Sequence, residues 1–368
     1  MRLKWSKRYI PIVTVICGLA SIALFIGINL EEQLDSWDTY RKWGAPSLTD
    51  IFNGDYWGLI TSNFLHVEIW HIAFNLYWLW VLGRKIEQES SKGLYILLIL
   101  SSALVSSLAQ LAFSDNTGIG LSGIGYALFG YIVVKSRTDE AYKNYLDRNT
   151  IYLFIGWLAL CVVLTKTGAW NIGNAAHIGG LLWGALLAFT ARYARPVPWA
   201  AGIVYLASLT ALIFYGFFST AYLSHRAYEL HVNRQDEEAM AVYRAILKVD
   251  PDNEFAKVNL KQLEMELLQD KAYDLHAQEK YSEARQVYNQ ILNLDKEHEW
   301  AKENLRRLEV SELQQKASDL HSEQRLDEAV EVYNQILSID RDNEWARQNL
   351  QNILSVRSPS TSKRSVSR

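Results

Sequence analysis

A chain of 368 residues has room for two or three domains, and a net charge of −3 leaves no basic excess for a nucleic-acid partner. Apolar residues make up 49% of the chain, yet mean hydropathy is only −0.06, because two unlike halves are averaged. Cys17 and Cys161 both fall inside apolar runs and read as small core residues, which excludes a disulfide or metal framework.

Long apolar runs fill roughly the first 220 residues. A membrane span needs about 20 mostly apolar residues. The first candidate is Tyr9 to Leu30, after a basic start of Arg2, Lys4, Lys7 and Arg8. It is too long for a signal-peptide core and no small-x-small cleavage site follows, so it reads as a retained span. Phe64–Leu82, Leu94–Phe113, Gly118–Val134, Ile151–Thr165, Ala175–Ala191 and Trp199–Phe218 bring the predicted spans to seven. The fourth, fifth and sixth are short or rich in glycine.

Loop charges predict orientation. Basic residues crowd the N-terminus and three connections: Arg84, Lys85 and Lys92; Lys135, Arg137, Lys143 and Arg148; Arg192 and Arg195. The alternate connections are poor in them. Ser114–Thr117 has none, Lys166 stands alone, and Arg41 and Lys42 face several acids. The positive-inside rule puts the N-terminus in the cytoplasm, and seven spans then put the C-terminal half outside.

The last third is a repeat. Ala227, Ala272 and Ala317 recur every 45 residues, as do Leu230, Leu275 and Leu320, and Tyr243, Tyr288 and Tyr333. Ala239-x3-Tyr243, Ala284-x3-Tyr288 and Ala329-x3-Tyr333 mark the second helix of each unit, and Asp250-Pro251, Asp295 and Asp340 its end. These units resemble tetratricopeptide repeats, whose usual period is about 34 residues, so each carries an added or lengthened helix. Such units bury their apolar faces by stacking into a solenoid. The array serves either as a spacer or as a surface for a protein or peptide partner, and the second is favoured. Three domains follow: a membrane domain over 1–220, the repeats over 221–354, and a disordered Ser-rich basic tail over 355–368.

Polar groups inside a bilayer are costly and mark function by default. Ser122 sits in Gly120-Leu121-Ser122-Gly123. A membrane serine commonly bonds back to its own helix, but flanking glycines let other backbone approach and leave the hydroxyl open. His177 is followed by Gly180 and Gly184, a small-residue face on one side of its helix. His71 and Asn75, four apart, share a face. His66 lies nine residues before Asn75, which at about 100° per residue points it the opposite way, so it is separated from that pair and assigned to bracing the preceding loop. Ser122 and His177 each fall a few residues into spans that run from outside to inside, and His71 and Asn75 lie slightly deeper. The four polar groups therefore converge at one level.

Neutral histidine can take the proton that makes a serine hydroxyl nucleophilic. No Asp or Glu lies on the spans of Ser122 and His177, and Glu68 sits at a water-facing end, so a dyad is expected. Oxyanion donors are available from the Asn75 amide, the His71 ring and the Ser122 backbone N–H. Tyr126, one turn after Ser122, can pack on His177.

Together, His66-x4-His71-x3-Asn75, Gly120-Leu121-Ser122-Gly123 and Ala176-His177-x2-Gly180-x3-Gly184 resemble the rhomboid intramembrane protease family over roughly residues 1–220. The resemblance implies an all-α bundle of six core helices plus a seventh span. It implies Ser122 as nucleophile, His177 as base, His71 and Asn75 at oxyanion positions, Tyr126 as the aromatic on the histidine, and His66 as structural. It implies cleavage of single-span membrane proteins near the outer end of their membrane segment. No metal or cofactor is expected. One departure is Trp57-Gly58, where the family often carries Trp-Arg, which puts the bracing of the first loop in doubt. The rival readings are a catalytically silent rhomboid-like protein that holds membrane clients, and a channel or transporter, for which the spans carry too few charges.

Overall fold

The computed structural model describes residues 9–33, 36–190 and 196–357. The basic start before Tyr9, Arg192, Arg195 and the tail from residue 358 onward lie outside them; Ser355–Arg357 belong to the last helix. Among the described residues every regular element is helical. The chain divides into two compact units, residues 1–257 and 258–368.

In the first unit, α1 (Ile12–Asn29) leads into a loop holding the short helices α2 (Trp37–Lys42), α3 (Leu48–Phe52) and α4 (Gly58–Thr61). Then come α5 (Ile69–Trp78), α6 (Arg84–Glu89), α7 (Lys92–Phe113), α8 (Ser122–Lys135), α9 (Arg148–Lys166), α10 (Asn174–Thr190) and α11 (Pro196–Tyr215). The helices α12 (Ala221–Val232) and α13 (Asp236–Val249) also pack in this unit. Among the described residues four helices are long and apolar enough to cross a membrane: Ile12–Asn29, Lys92–Phe113, Arg148–Lys166 and Val197–Tyr215. The helix α7 is 61% buried over its apolar window, against 22% or less for the other three, so it is the central post of the bundle. Small residues make that position possible: Ser102, Ala103, Ser106, Ser107 and Ala109 on α7 are all buried. The outer helices present Ile16, Leu19, Tyr152, Ile155 and Ile203 outward, as helices facing lipid do.

The second predicted span departs from a single helix. Residues Ser62–Phe64 form a 3-10 turn, Leu65 and Glu68 are extended, and α5 starts at Ile69. A π-helical turn over Leu79–Gly83 then links α5 to α6. Gly83 packs there against the Tyr95 hydroxyl and Thr14, a closeness that no side chain at residue 83 would allow.

The first loop is well braced despite Gly58. The Arg41 guanidinium lies 2.7 Å from Asp55 and 3.5 Å from Asp50. Ser47 and Asp50 form a reciprocal cap on α3, and the Thr61 hydroxyl donates to the Gly44 carbonyl at 2.6 Å. Gly58 itself lies against the Pro46 ring, where a Cβ would overlap. The bracing charge comes from Arg41, seventeen residues upstream of the expected place.

The second unit stacks α14 (Glu254–Ala277), α15 (Tyr281–Leu294), α16 (Glu299–Ser322), α17 (Leu326–Ile339) and α18 (Glu344–Arg357). The extra residues of the 45-residue period lengthen one helix per unit, giving 24 residues each in α14 and α16. The periodic Tyr288 and Tyr333 are buried, and each meets a histidine twelve residues earlier, His276 at 3.2 Å and His321 at 3.1 Å.

Candidate active site

Three helices and one loop bring the predicted residues together. Ser122 is the first residue of α8, and no side chain caps that helix end. The first backbone N–H groups of a helix have no partner within it and carry its positive dipole end. The serine hydroxyl and a set of free donors therefore occupy the same spot.

His177 lies in the first turn of α10 and is 4% exposed. Its Nε2 is 2.8 Å from Ser122 Oγ. Its Nδ1 is buried and has no hydrogen-bond partner among the described residues. The Tyr126 ring stacks on the imidazole, with centroids 4.8 Å apart and planes at 29°. The Tyr126 hydroxyl is turned away and donates to the Phe154 carbonyl on α9 at 3.0 Å.

Glycines set the approach of α8 to α10. A Cβ on Gly180 would overlap the Gly123 carbonyl oxygen, and one on Gly184 would overlap the Ala127 backbone. One on Gly123 would overlap Ser106 of α7. Gly120 adopts a φ of +104° directly under the His71 ring, a left-handed turn that only glycine takes without cost.

The structure corrects the place of His66. Its ring nitrogen Nε2 is 3.0 Å from Asn75 Nδ2, and its ring sits 4.8 Å from that of His71. The helical period does not extend to His66, because α5 begins only at Ile69 and His66 lies in the extended stretch before it. His66 Nδ1 lies 3.2 Å from the Phe64 carbonyl, an arrangement that puts the ring proton on Nδ1. Nε2 then accepts from the Leu121 backbone N–H at 3.2 Å and from the Asn75 amide. The loop before Ser122 is thus tied to α5, and the Gly120 N–H adds a bond to the Ser62 carbonyl at 3.2 Å.

Gln110 went unnoticed in the sequence. It is 4% exposed, and its Oε1 accepts from the backbone N–H of Ala176, next to His177, at 3.1 Å. An amide in the last turns of an apolar run was the available signal, because such a group is costly in lipid.

Comparison with known proteins finds matches in both parts of the chain. A Rhomboid domain matches residues 53–194, and Tetratricopeptide repeat families match residues 268–298 and 313–343. The chain is 32% identical over 180 residues to the Rhomboid protease GlpG of Salmonella paratyphi A, and equally so to those of Salmonella typhi and Salmonella newport. The matched stretch is 48% of this chain and 62% of each relative, so the chain spans under two thirds of their length. The chain joins a rhomboid domain, homologous to rhomboid proteases, to tetratricopeptide repeats.

Proposed function

We propose that this protein is an intramembrane serine endopeptidase that cuts the membrane segments of single-span proteins, with Ser122 as nucleophile and His177 as general base. One observation carries the reading: the 2.8 Å separation of Ser122 Oγ and His177 Nε2 at an uncapped helix N-terminus. As Oγ attacks the scissile carbonyl carbon, Nε2 takes its proton and later returns it to the leaving amine. Water then hydrolyses the acyl-enzyme by the same exchange. The oxyanion is met by the Ser122 N–H, the His71 ring and the second amide proton of Asn75, whose first engages His66. The unpartnered Nδ1 of His177 supports a dyad, with the Tyr126 ring holding the imidazole in place of a third polar member.

Helix length supports hydrolysis below the membrane surface. With 14 residues, α8 is about 21 Å long, against about 30 Å of hydrocarbon. With Lys135 at one face, Ser122 falls about 10 Å short of the other. The basic residues Arg84, Lys85, Lys135 and Arg148 lie at the end of the bundle away from Ser122, which makes that end cytoplasmic and the active site open to the outside. We place the repeats outside as well, where they recruit or orient protein partners.

The test is Ser122→Ala and His177→Ala, each assayed in vesicles on a single-span substrate. Each variant is expected to lose at least about a thousandfold in rate. Both cutting like the parent would remove the dyad. A parent that a fluorophosphonate probe leaves unlabelled would favour a silent membrane-client binder. A cysteine placed in the repeats and shielded from a reagent outside intact cells would overturn the orientation.

A further inference from the structure

Each unit of a helical solenoid buries its face on the unit before it, so the first helix of an array lacks a neighbour. In this chain the membrane domain supplies one. The first repeat helix, α12, begins at Ala221 with free backbone N–H groups. Asp115, in the loop between α7 and α8, meets them. Its Oδ1 accepts from Ser219 Oγ at 2.8 Å, Thr220 N at 2.8 Å and Ala221 N at 3.1 Å. Its Oδ2 accepts from Thr220 Oγ1 at 2.6 Å. An anion at a helix N-terminus is favoured by the dipole and by the donors together. Here it arrives from more than 100 residues away in sequence. Aromatic rings flank the contact. Phe52 of α3 stacks on His225 at 5.4 Å and meets Tyr222 edge-on at 5.6 Å, and Phe113 stacks on Phe218 at 5.0 Å.

This seat connects to the Ser122–His177 pair through both of its segments. The residue after Asp115 is Asn116, whose Oδ1 accepts from Gln110 Nε2 at 3.4 Å. The same Gln110 side chain holds the Ala176 N–H at the start of the His177 helix. Onward from Asn116, the loop reaches Gly120 and Leu121, which Ser62 and His66 fix just before Ser122. One carboxylate therefore joins the first repeat to the two backbone segments that place the reacting side chains.

We propose that Asp115 is a positioning residue that couples the seating of the first repeat to the alignment of His177 and Ser122. A protein partner loading the repeats then changes turnover without touching the catalytic pair. This rests on the protease reading above. A bare helix cap would affect α12 alone, and the difference is measurable.

The experiment uses the full chain in vesicles, with Asp115→Ala, Thr220→Val, their double variant and Asn116→Ala. Amide exchange is read over 219–232 and 172–180, with fluorophosphonate labelling rate, kcat and KM on a single-span substrate. Asp115→Ala is expected to speed exchange in both segments and to lower labelling and kcat about two- to thirtyfold, the range of coupling networks, with KM nearly unchanged. The double variant should be no worse than Asp115→Ala alone. Asn116→Ala keeps the seat, so it should lower kcat without faster exchange at 219–232, which also separates coupling from misfolding. Faster exchange at 219–232 with kcat and labelling intact would reduce Asp115 to a cap and overturn the proposal, as would no change in either segment. If the parent itself neither cuts nor labels, the protease reading fails, and exchange at 172–180 still decides the coupling.

Discussion

Gly184 lies against the backbone of Ala127 so closely that a Cβ would overlap the carbonyl oxygen. This contact, with that of Gly180 on Gly123, sets the distance between α8 and α10 and so places Ser122 beside His177. Gly184→Val should push the helices apart, cost about 1–3 kcal/mol as an overpacked core site does, and reduce fluorophosphonate labelling at least tenfold. Gly125, also on α8, has open space where its Cβ would go. Gly125→Ala should leave labelling intact and hold or raise the unfolding temperature. Equal effects from the two would detach helix approach from reactivity.

His66 Nε2 holds both the Leu121 N–H and the Asn75 amide. Changing it to Leu leaves two buried donors without an acceptor, at a cost of about 1–3 kcal/mol each at most. Leu121 is then freed from α5 while the Gly120 N–H keeps its bond to the Ser62 carbonyl, so His66→Leu should lower kcat more than it raises KM. A variant with parental kcat and a lowered unfolding temperature would make the tether purely structural.

How far the sequence carried this picture depended on the range of each interaction. Glycine spacing on one helix is local, and it pointed to the close α8–α10 face. The 45-residue period repeats in plain view, and so did the buried Tyr288 and Tyr333. The extended break at Leu65–Glu68 was hidden because it carries neither Gly nor Pro and sits inside the predicted span, and the angle applied to His66 failed for that reason. Glu87, Gln110 and Asp115 find their partners 66 to 106 residues away. Such pairs have no periodicity to read; packing of the bundle decides them.

Tyr126 combines two roles that substitution can separate. Tyr126→Phe keeps the ring on His177 and leaves the Phe154 carbonyl without its donor, so it should cost about 1 kcal/mol in stability with labelling within threefold of the parent. Tyr126→Leu removes the stacked ring and should slow labelling about tenfold, since aromatic stacking is worth roughly 0.5–1.5 kcal/mol. Equal labelling by the two variants would remove the ring from the alignment of His177.

The repeats should respond to acid through Glu303, whose carboxyl is pushed down to about 2 by hydrogen bonds from Arg306 and Arg307. A carboxylate with a folded pKa below its unfolded value stabilises at pH above about 4, and that contribution is lost as pH falls toward the folded value. Glu303→Gln should flatten the loss of helical circular dichroism between about pH 4 and pH 2. The change should be small because these ion pairs lie at the solvent-accessible surface. An unchanged acid profile would mean that these arginines do not act on the folded carboxylate.

At the other end of the bundle, Glu87 is 2% exposed and its carboxylate accepts from the backbone N–H of Val13 at 2.8 Å, that of Thr14 at 2.9 Å, and the Thr14 hydroxyl at 2.8 Å. It acts as the N-terminal cap of α1, delivered from α6, and the anion complements the helix dipole. Glu87→Leu strands those donors and should destabilise by on the order of 3 kcal/mol. Glu87→Gln keeps one acceptor oxygen and should cost about 1 kcal/mol. The site lies at the end of the bundle away from Ser122, so Glu87→Gln should label at the parental rate per folded molecule. Thermal unfolding together with titration of labelled sites separates the two effects. A slowed rate in the folded fraction would mean that α1 takes part in aligning the site.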